Sequence, residues 1–203
     1  YQPILGPRAR TASVIEIDAL VELASRILSA RDGLDTSFDD GDAVRDILRV
    51  GTSAGGARAK AVIAWNPRTD EVRSGQVDAD PGFEHWLLKF DGVRDDRDGD
   101  LADPAGFGAI EFAYANMARA AGIEMEPCRL LEENGRRHFM TRRFDRRGSR
   151  EKIHMLSLGA IAHFDYNLAG AHGYEQALQV IRRLGLPMEA VEQQFRRMLF
   201  NVV

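Results

Sequence analysis

Lys89 sits late in an apolar run, His85-Trp86-Leu87-Leu88-Lys89-Phe90, with large hydrophobic side chains on both sides. Burying an ammonium there is costly unless it meets an anion. A strand lysine followed by a helix that bears an acid can hold a nucleotide: the lysine takes the phosphates and the acid takes the lysine. Glu111, in the first turns of a long helix expected over residues 105–121, is the natural acid. The other reading of Lys89 is an edge-strand lysine that points to water. Upstream, Gly51-Thr52-Ser53-Ala54-Gly55-Gly56-Ala57-Arg58-Ala59-Lys60 is a glycine-rich loop. Such loops let backbone N–H groups approach phosphate oxygens. The spacing is neither a Walker A loop, because Ala57 stands where lysine is needed, nor G-x-G-x-x-G. On its own the loop also fits a flexible turn. A third group, Arg142-Arg143-Phe144-Asp145-Arg146-Arg147, reads in two ways. It is either a solvated basic surface or the end of a strand, with Phe144 against a base and Asp145 fixing an arginine.

Other candidates are weaker. His163-Phe164-Asp165-Tyr166-Asn167 starts like a kinase catalytic loop. In that loop the metal-binding asparagine comes five residues after the aspartate, and here that position is Gly170. A helix end followed by a turn is the better reading. His85, His138, His154 and His172 are far apart and lack metal-ligand spacing. Cys128, on an expected strand, reads as an inert core thiol. The Asp-rich stretch from Asp91 to Asp103 lacks the order of a calcium loop and reads as exposed loop.

These residues need elements to hold them. Pro3, Gly6, Pro7, Arg8 and Arg10 mark an N-terminal arm, and Ile17, Leu20, Val21, Ala24, Ile27 and Leu28 recur at helical spacing. Asp42 can cap a short helix through Val44, Ile47 and Leu48. Strands are expected at 61–65, 71–77, 85–90, 128–132 and 138–144, the last two joined at Glu133-Asn134-Gly135, a strong hairpin signal. On the long helix Ile110, Ala113, Tyr114, Met117 and Ala121 form an apolar stripe, and Gly122 ends it. Beyond Arg146 the pattern turns helical, at 157–164, 174–184 and 188–202. The expected organisation is an arm and helix over 1–44, a strand-rich lobe over 45–145, and a helical segment over 146–203. The fold class is α+β.

The 203 residues carry a net charge of −4, with 44% hydrophobic and 29% charged residues, which fits a globular chain and argues against general nucleic-acid coating. One cysteine excludes an internal disulfide and a multi-cysteine zinc site, and points to a reducing, cytoplasmic setting. No run approaches the length of a membrane span. The chain begins with Tyr1 and ends in the apolar Phe200-Asn201-Val202-Val203, so both ends are expected to be cuts.

Three segments in this order are far more specific together than singly. Ser53-Ala54-Gly55-Gly56-Ala57-Arg58-Ala59-Lys60, Leu87-Leu88-Lys89-Phe90 and Arg142-Arg143-Phe144-Asp145-Arg146-Arg147 resemble the HipA family of toxin kinases. The likeness extends through His154-Met155-Leu156-Ser157-Leu158 and Gln194-Phe195-Arg196-Arg197-Met198-Leu199-Phe200-Asn201. The resemblance implies a protein-kinase-like fold: an antiparallel N-lobe with one long helix, then the first helices of a helical C-lobe. It implies transfer of the γ-phosphoryl group of ATP, with Mg²⁺, to a serine of a protein target such as an aminoacyl-tRNA synthetase. It also implies a bacterial toxin–antitoxin pair, in which a HipB-type antitoxin is the partner and DNA is reached through it. By matching positions, Ser53 is the expected autophosphorylated loop serine, and Ala54, Gly55, Gly56 and Ala57 lie over the phosphates. Lys89 contacts the α- and β-phosphates with Glu111 as its partner, and Phe144 lines the adenine pocket. Arg142 falls at the adenine-hinge position, where some relatives carry an acid. The family's catalytic segment, Asp-x-His-x-x-Asn, and its later metal-binding aspartate are expected beyond Val203. On this reading the 203-residue chain alone transfers no phosphate; a non-catalytic remnant that binds ATP or antitoxin is the alternative.

Overall fold

A computed structural model describes residues 14, 16, 17, 21, 60–75, 79–92, 105–148, 151–165, 167, 168 and 170–203. The expected helix at 42–48 and the glycine-rich loop before Lys60 lie outside these residues. So do most of the N-terminal arm and helix. The chain divides into two compact units, one drawn from 1–112 and 126–152, the other from 113–125 and 153–203.

The first unit is built on a five-stranded antiparallel sheet. Its strands are β1 (Lys60–Trp65), β2 (Val72–Ser74), β3 (Glu84–Lys89), β4 (Cys128–Glu133) and β5 (Arg136–Arg142), in the order β2-β1-β3-β5-β4. Alternation assigns the two faces. Ala61, Ile63 and Trp65 of β1, Trp86 and Leu88 of β3 and Met140 of β5 fill one face. Ile17 and Val21, both helical, belong to the same core, so this part of the expected N-terminal helix covers the sheet. Ile63, Leu88 and Met140 are fully buried, each contributing about 1.5–3 kcal/mol over an exposed side chain. Trp65 and Trp86 meet edge to face at 5.7 Å, and the Arg129 guanidinium lies 4.0 Å over the Trp65 ring. The opposite face carries Lys60, Leu87, Lys89 and Phe139, since Lys60 pairs with Lys89 and Lys89 with Phe139.

Asn134 and Gly135 join β4 to β5 with positive φ angles of 45° and 75°. Both signs are those of a type I′ turn, which is why Asn-Gly there is so strong a signal. A short hairpin, β6 (Arg146–Arg147) and β7 (Glu151–Lys152), follows, at the start of the stretch expected to be helical.

Helix α1 (Phe107–Ala120) falls within the expected range, but its orientation differs. Ile110, Tyr114 and Met117 of the apolar stripe are exposed, and Gly108, Ala115 and Ala118 are the buried positions. The physical reason is visible at Gly108. A Cβ there would overlap the carbonyl oxygen of Arg137 on β5, so helix and strand approach as closely as backbones can. At Gly108 only a residue without a Cβ fits.

The second unit holds the end of α1 and helices α2 (Leu158–Ala162), α3 (Tyr174–Arg183) and α4 (Met188–Val202). The Ser157 hydroxyl accepts from the Ala160 N–H and caps α2. Gln193 of α4 clasps the segment after α1: its Nε2 donates to the Gly122 carbonyl at 3.1 Å and its Oε1 accepts from the Glu124 N–H at 3.0 Å. Arg196 and Arg197 donate to the carbonyls of Ala121 and Glu124 in the same segment. The Tyr114 and Phe200 rings meet edge to face at 6.4 Å. Among the described residues no helix is long and apolar enough to cross a membrane.

Candidate functional site

The last residue of β3 and the second turn of α1 meet. Lys89 Nζ donates to Glu111 Oε2 at 2.6 Å, with side chains 33% and 27% exposed. The same ammonium lies 5.7 Å from the centre of the Phe139 ring on the neighbouring strand. Lys60, which closes the glycine-rich segment, opens β1 and stands directly opposite Lys89. Two positive charges are thus carried side by side on one face of the sheet, next to the Glu111 carboxylate. The Lys89–Glu111 pair, being partly exposed, returns at most about 1 kcal/mol of stability. Ser53, Ala54, Gly55, Gly56 and Ala57 lie outside the described residues.

A second cluster lies beyond β5. Asp145 is buried and accepts from Arg143 Nε at 2.8 Å and Nη2 at 2.6 Å, a two-point fork, and from Arg146 Nη1 at 2.5 Å. The hydrogen bonds from Arg143 hold the Asp145 carboxyl below the usual carboxylate range, against the opposing effect of burial, with the charges of Arg143 and Arg146 adding to the lowering. The Arg143 backbone N–H donates to the His85 carbonyl at 2.9 Å, which ties the cluster to β3. Asp145 does fix arginines, as one reading of this segment required. Between them Phe144 is 62% exposed, an aromatic ring on a rigid support with its surface open. Arg142 pairs with Glu126, Nη2 to Oε2 at 3.1 Å.

Asp91 is the residue the sequence reading missed. It was absorbed into the Asp-rich loop, yet it is only 3% exposed. Its Oδ1 accepts from the N–H groups of Gly106 at 2.9 Å and Gly108 at 3.3 Å, and its Oδ2 accepts from Gly106 at 3.0 Å. Its own N–H donates to Nδ1 of the fully buried His138 at 2.9 Å, which leaves the imidazole proton on Nε2. The signal available in the sequence was position: the first acid after an apolar strand, with Gly106 and Gly108 at the start of the next helix.

His163 and Asp165 fall where the helix-end reading put them. His163 caps α2 with a φ of 55°, and Asp165 folds back on Asn167, accepting from its backbone N–H at 2.9 Å and its Nδ2 at 3.1 Å. That is a helix end and an Asx turn. Cys128 is half-buried, not in the core, and its thiol reaches the Glu126 carbonyl at 3.2 Å and Thr141 Oγ1 at 3.5 Å. Among the described residues no three His, Cys, Asp or Glu side chains gather as a metal site.

The family model described as "HipA-like C-terminal domain" matches residues 52–203, which include Lys60, Lys89, Glu111 and the whole Arg142–Arg147 segment. No curated protein and no solved structure matches the chain.

Proposed function

The chain belongs to the HipA-like family, and from that premise we propose that it is the ATP-holding part of a serine/threonine protein kinase of the toxin–antitoxin type. The observation that carries this reading is the Lys89–Glu111 pair at 2.6 Å with Lys60 in register beside it. A kinase-like N-lobe needs this arrangement: a strand lysine aimed at the α- and β-phosphates by a helix acid. On this reading Lys60 and Lys89 face the phosphates. Ser53, Ala54, Gly55, Gly56 and Ala57 cover them, and Ser53 is also the autophosphorylated residue. Phe144 takes the adenine face, and Asp145 keeps the segment that carries it rigid through Arg143 and Arg146. Arg142, held by Glu126, borders the base.

Positioning and electrostatics supply most of the catalysis in phosphoryl transfer. Mg²⁺, when bound with ATP, would supply neutralisation of the phosphate charge. The family's Asp-x-His-x-x-Asn segment does not occur in the 203 residues. The part proposed for this chain is therefore binding and orientation, with transfer to a protein serine an activity of the whole kinase. Its proposed partner is a HipB-type antitoxin, through which it meets DNA, and its proposed setting is the bacterial cytoplasm.

The test is nucleotide-linked stability. ATP with Mg²⁺ at 100 times its Kd should raise unfolding stability by about 2.7 kcal/mol. Lys89→Ala should remove most of that gain while leaving the ligand-free protein folded. A wild-type chain whose unfolding is indifferent to ATP, with or without Mg²⁺, would overturn the reading.

A further inference from the structure

We propose that Asp91 is the positioning residue of the Lys89–Glu111 pair, which makes it a determinant of nucleotide affinity that never touches the nucleotide. The proposal rests on the nucleotide-site reading above. Lys89 and Glu111 stand on different elements, the end of β3 and the second turn of α1. Their 2.6 Å contact survives only if those elements are fixed to each other close by. Asp91 is two residues from Lys89, and its carboxylate accepts from Gly106 and Gly108, where α1 begins. These are N–H groups that the first turn of a helix leaves without an intrahelical partner. A carboxylate from another element caps α1 and also complements the positive end of its dipole.

The joint is closed on its other sides. Gly108 allows α1 to lie against the Arg137 carbonyl, and nothing larger fits. The Asp91 N–H is held by Nδ1 of buried His138 on β5, so the carboxylate has a fixed origin. The Phe90 and His138 rings meet edge to face at 5.8 Å. Asp91 is thus fixed to the sheet through its backbone and to the helix through its side chain. Removing the carboxylate frees α1 to shift on the sheet, and Glu111 moves with it.

The test uses the full chain and two readouts. ATP affinity is measured by calorimetry, and the water exchange of the Lys89 ammonium by ¹⁵N NMR without nucleotide. Asp91→Ala should weaken ATP binding about tenfold and expose the Lys89 ammonium to faster exchange, because a charged, buried acceptor is lost. Asp91→Asn keeps an oxygen that both N–H groups can reach and should recover most of both signals. Because Asp91 acts through Glu111, adding Asp91→Ala to Glu111→Gln should weaken binding little further. Losses that multiply instead, or an Asp91→Ala chain with lower stability but unchanged ATP affinity, would overturn the proposal. If the alanine chain does not fold, Asp91→Glu takes its place: it keeps the charge but advances the acceptors by a methylene, and the same losses are expected. If the wild type binds no ATP, the nucleotide reading fails alone. The exchange readout then decides the Asp91 proposal: faster exchange in the variant upholds it, unchanged exchange refutes it.

Discussion

Lys60 and Lys89 stand directly opposite each other, one opening β1 and the other closing β3. Both side chains therefore leave the same face of the sheet. On the proposed reading both ammonium groups meet the phosphates, so Lys60→Met should weaken ATP binding about tenfold, the loss of one charged hydrogen bond. Chemical denaturation with and without ATP reads the loss, and a variant that gains as much stability from ATP as the wild type would contradict this role for Lys60.

Asp145 makes a second prediction, through pH. Its carboxyl titrates lower in the folded chain than in the unfolded one, chiefly because Arg143 donates to the charged form. The folded state then binds fewer protons there, so the contribution is fully present above the unfolded value, near 3.9 on the ordinary scale. It is lost as pH falls through the lower, folded value. Asp145→Asn should destabilise the protein by about 1–3 kcal/mol at neutral pH, since two guanidinium groups lose a charged acceptor. The gap to wild type should shrink as pH drops below about 4. A gap that stays constant down to the acid transition would rule out titration of Asp145 as its source.

Gly108 supplies a third. Any Cβ at this position meets the backbone carbonyl of Arg137, which cannot swing aside as a side chain could. Gly108→Ala should cost about 1–3 kcal/mol by overpacking, although alanine favours helices more than glycine does. Thermal unfolding reads the cost. Stabilisation by alanine would mean that α1 does not approach β5 as described.

Much of this framework was legible before the structure. The strands over 60–65, 84–89 and 128–142 follow from alternating hydrophobic runs and from Asn134-Gly135, whose turn needs the φ angles only such residues adopt easily. Lys89 and Glu111 could be paired from sequence because a strand lysine and a helix acid have few other uses side by side. The orientation of α1 was not legible. Amphipathic logic follows the large residues Ile110, Tyr114 and Met117, but the buried positions are Gly108, Ala115 and Ala118, and at Gly108 the backbone of Arg137 leaves no room for a side chain. Asp91 was hidden for a different reason. In an Asp-rich stretch composition argues for solvent at every position, and only the strand before it and the glycines after it distinguish the first acid from the others.

The turn at Asn134 and Gly135 also bears on how the sheet assembles. The β4–β5 ladder runs from Glu133↔Arg136 to Cys128↔Thr141, so each rung extends one already made and little chain must be brought together. The β3–β5 ladder, with Leu88↔Met140 among its rungs, closes a loop that contains all of α1. Loop-closure entropy makes such a contact slow until local structure supports it. The hairpin is therefore expected to form ahead of the β3–β5 ladder, which brings the strand of Lys89 beside that of Phe139 and so completes the surroundings of the Lys89 ammonium.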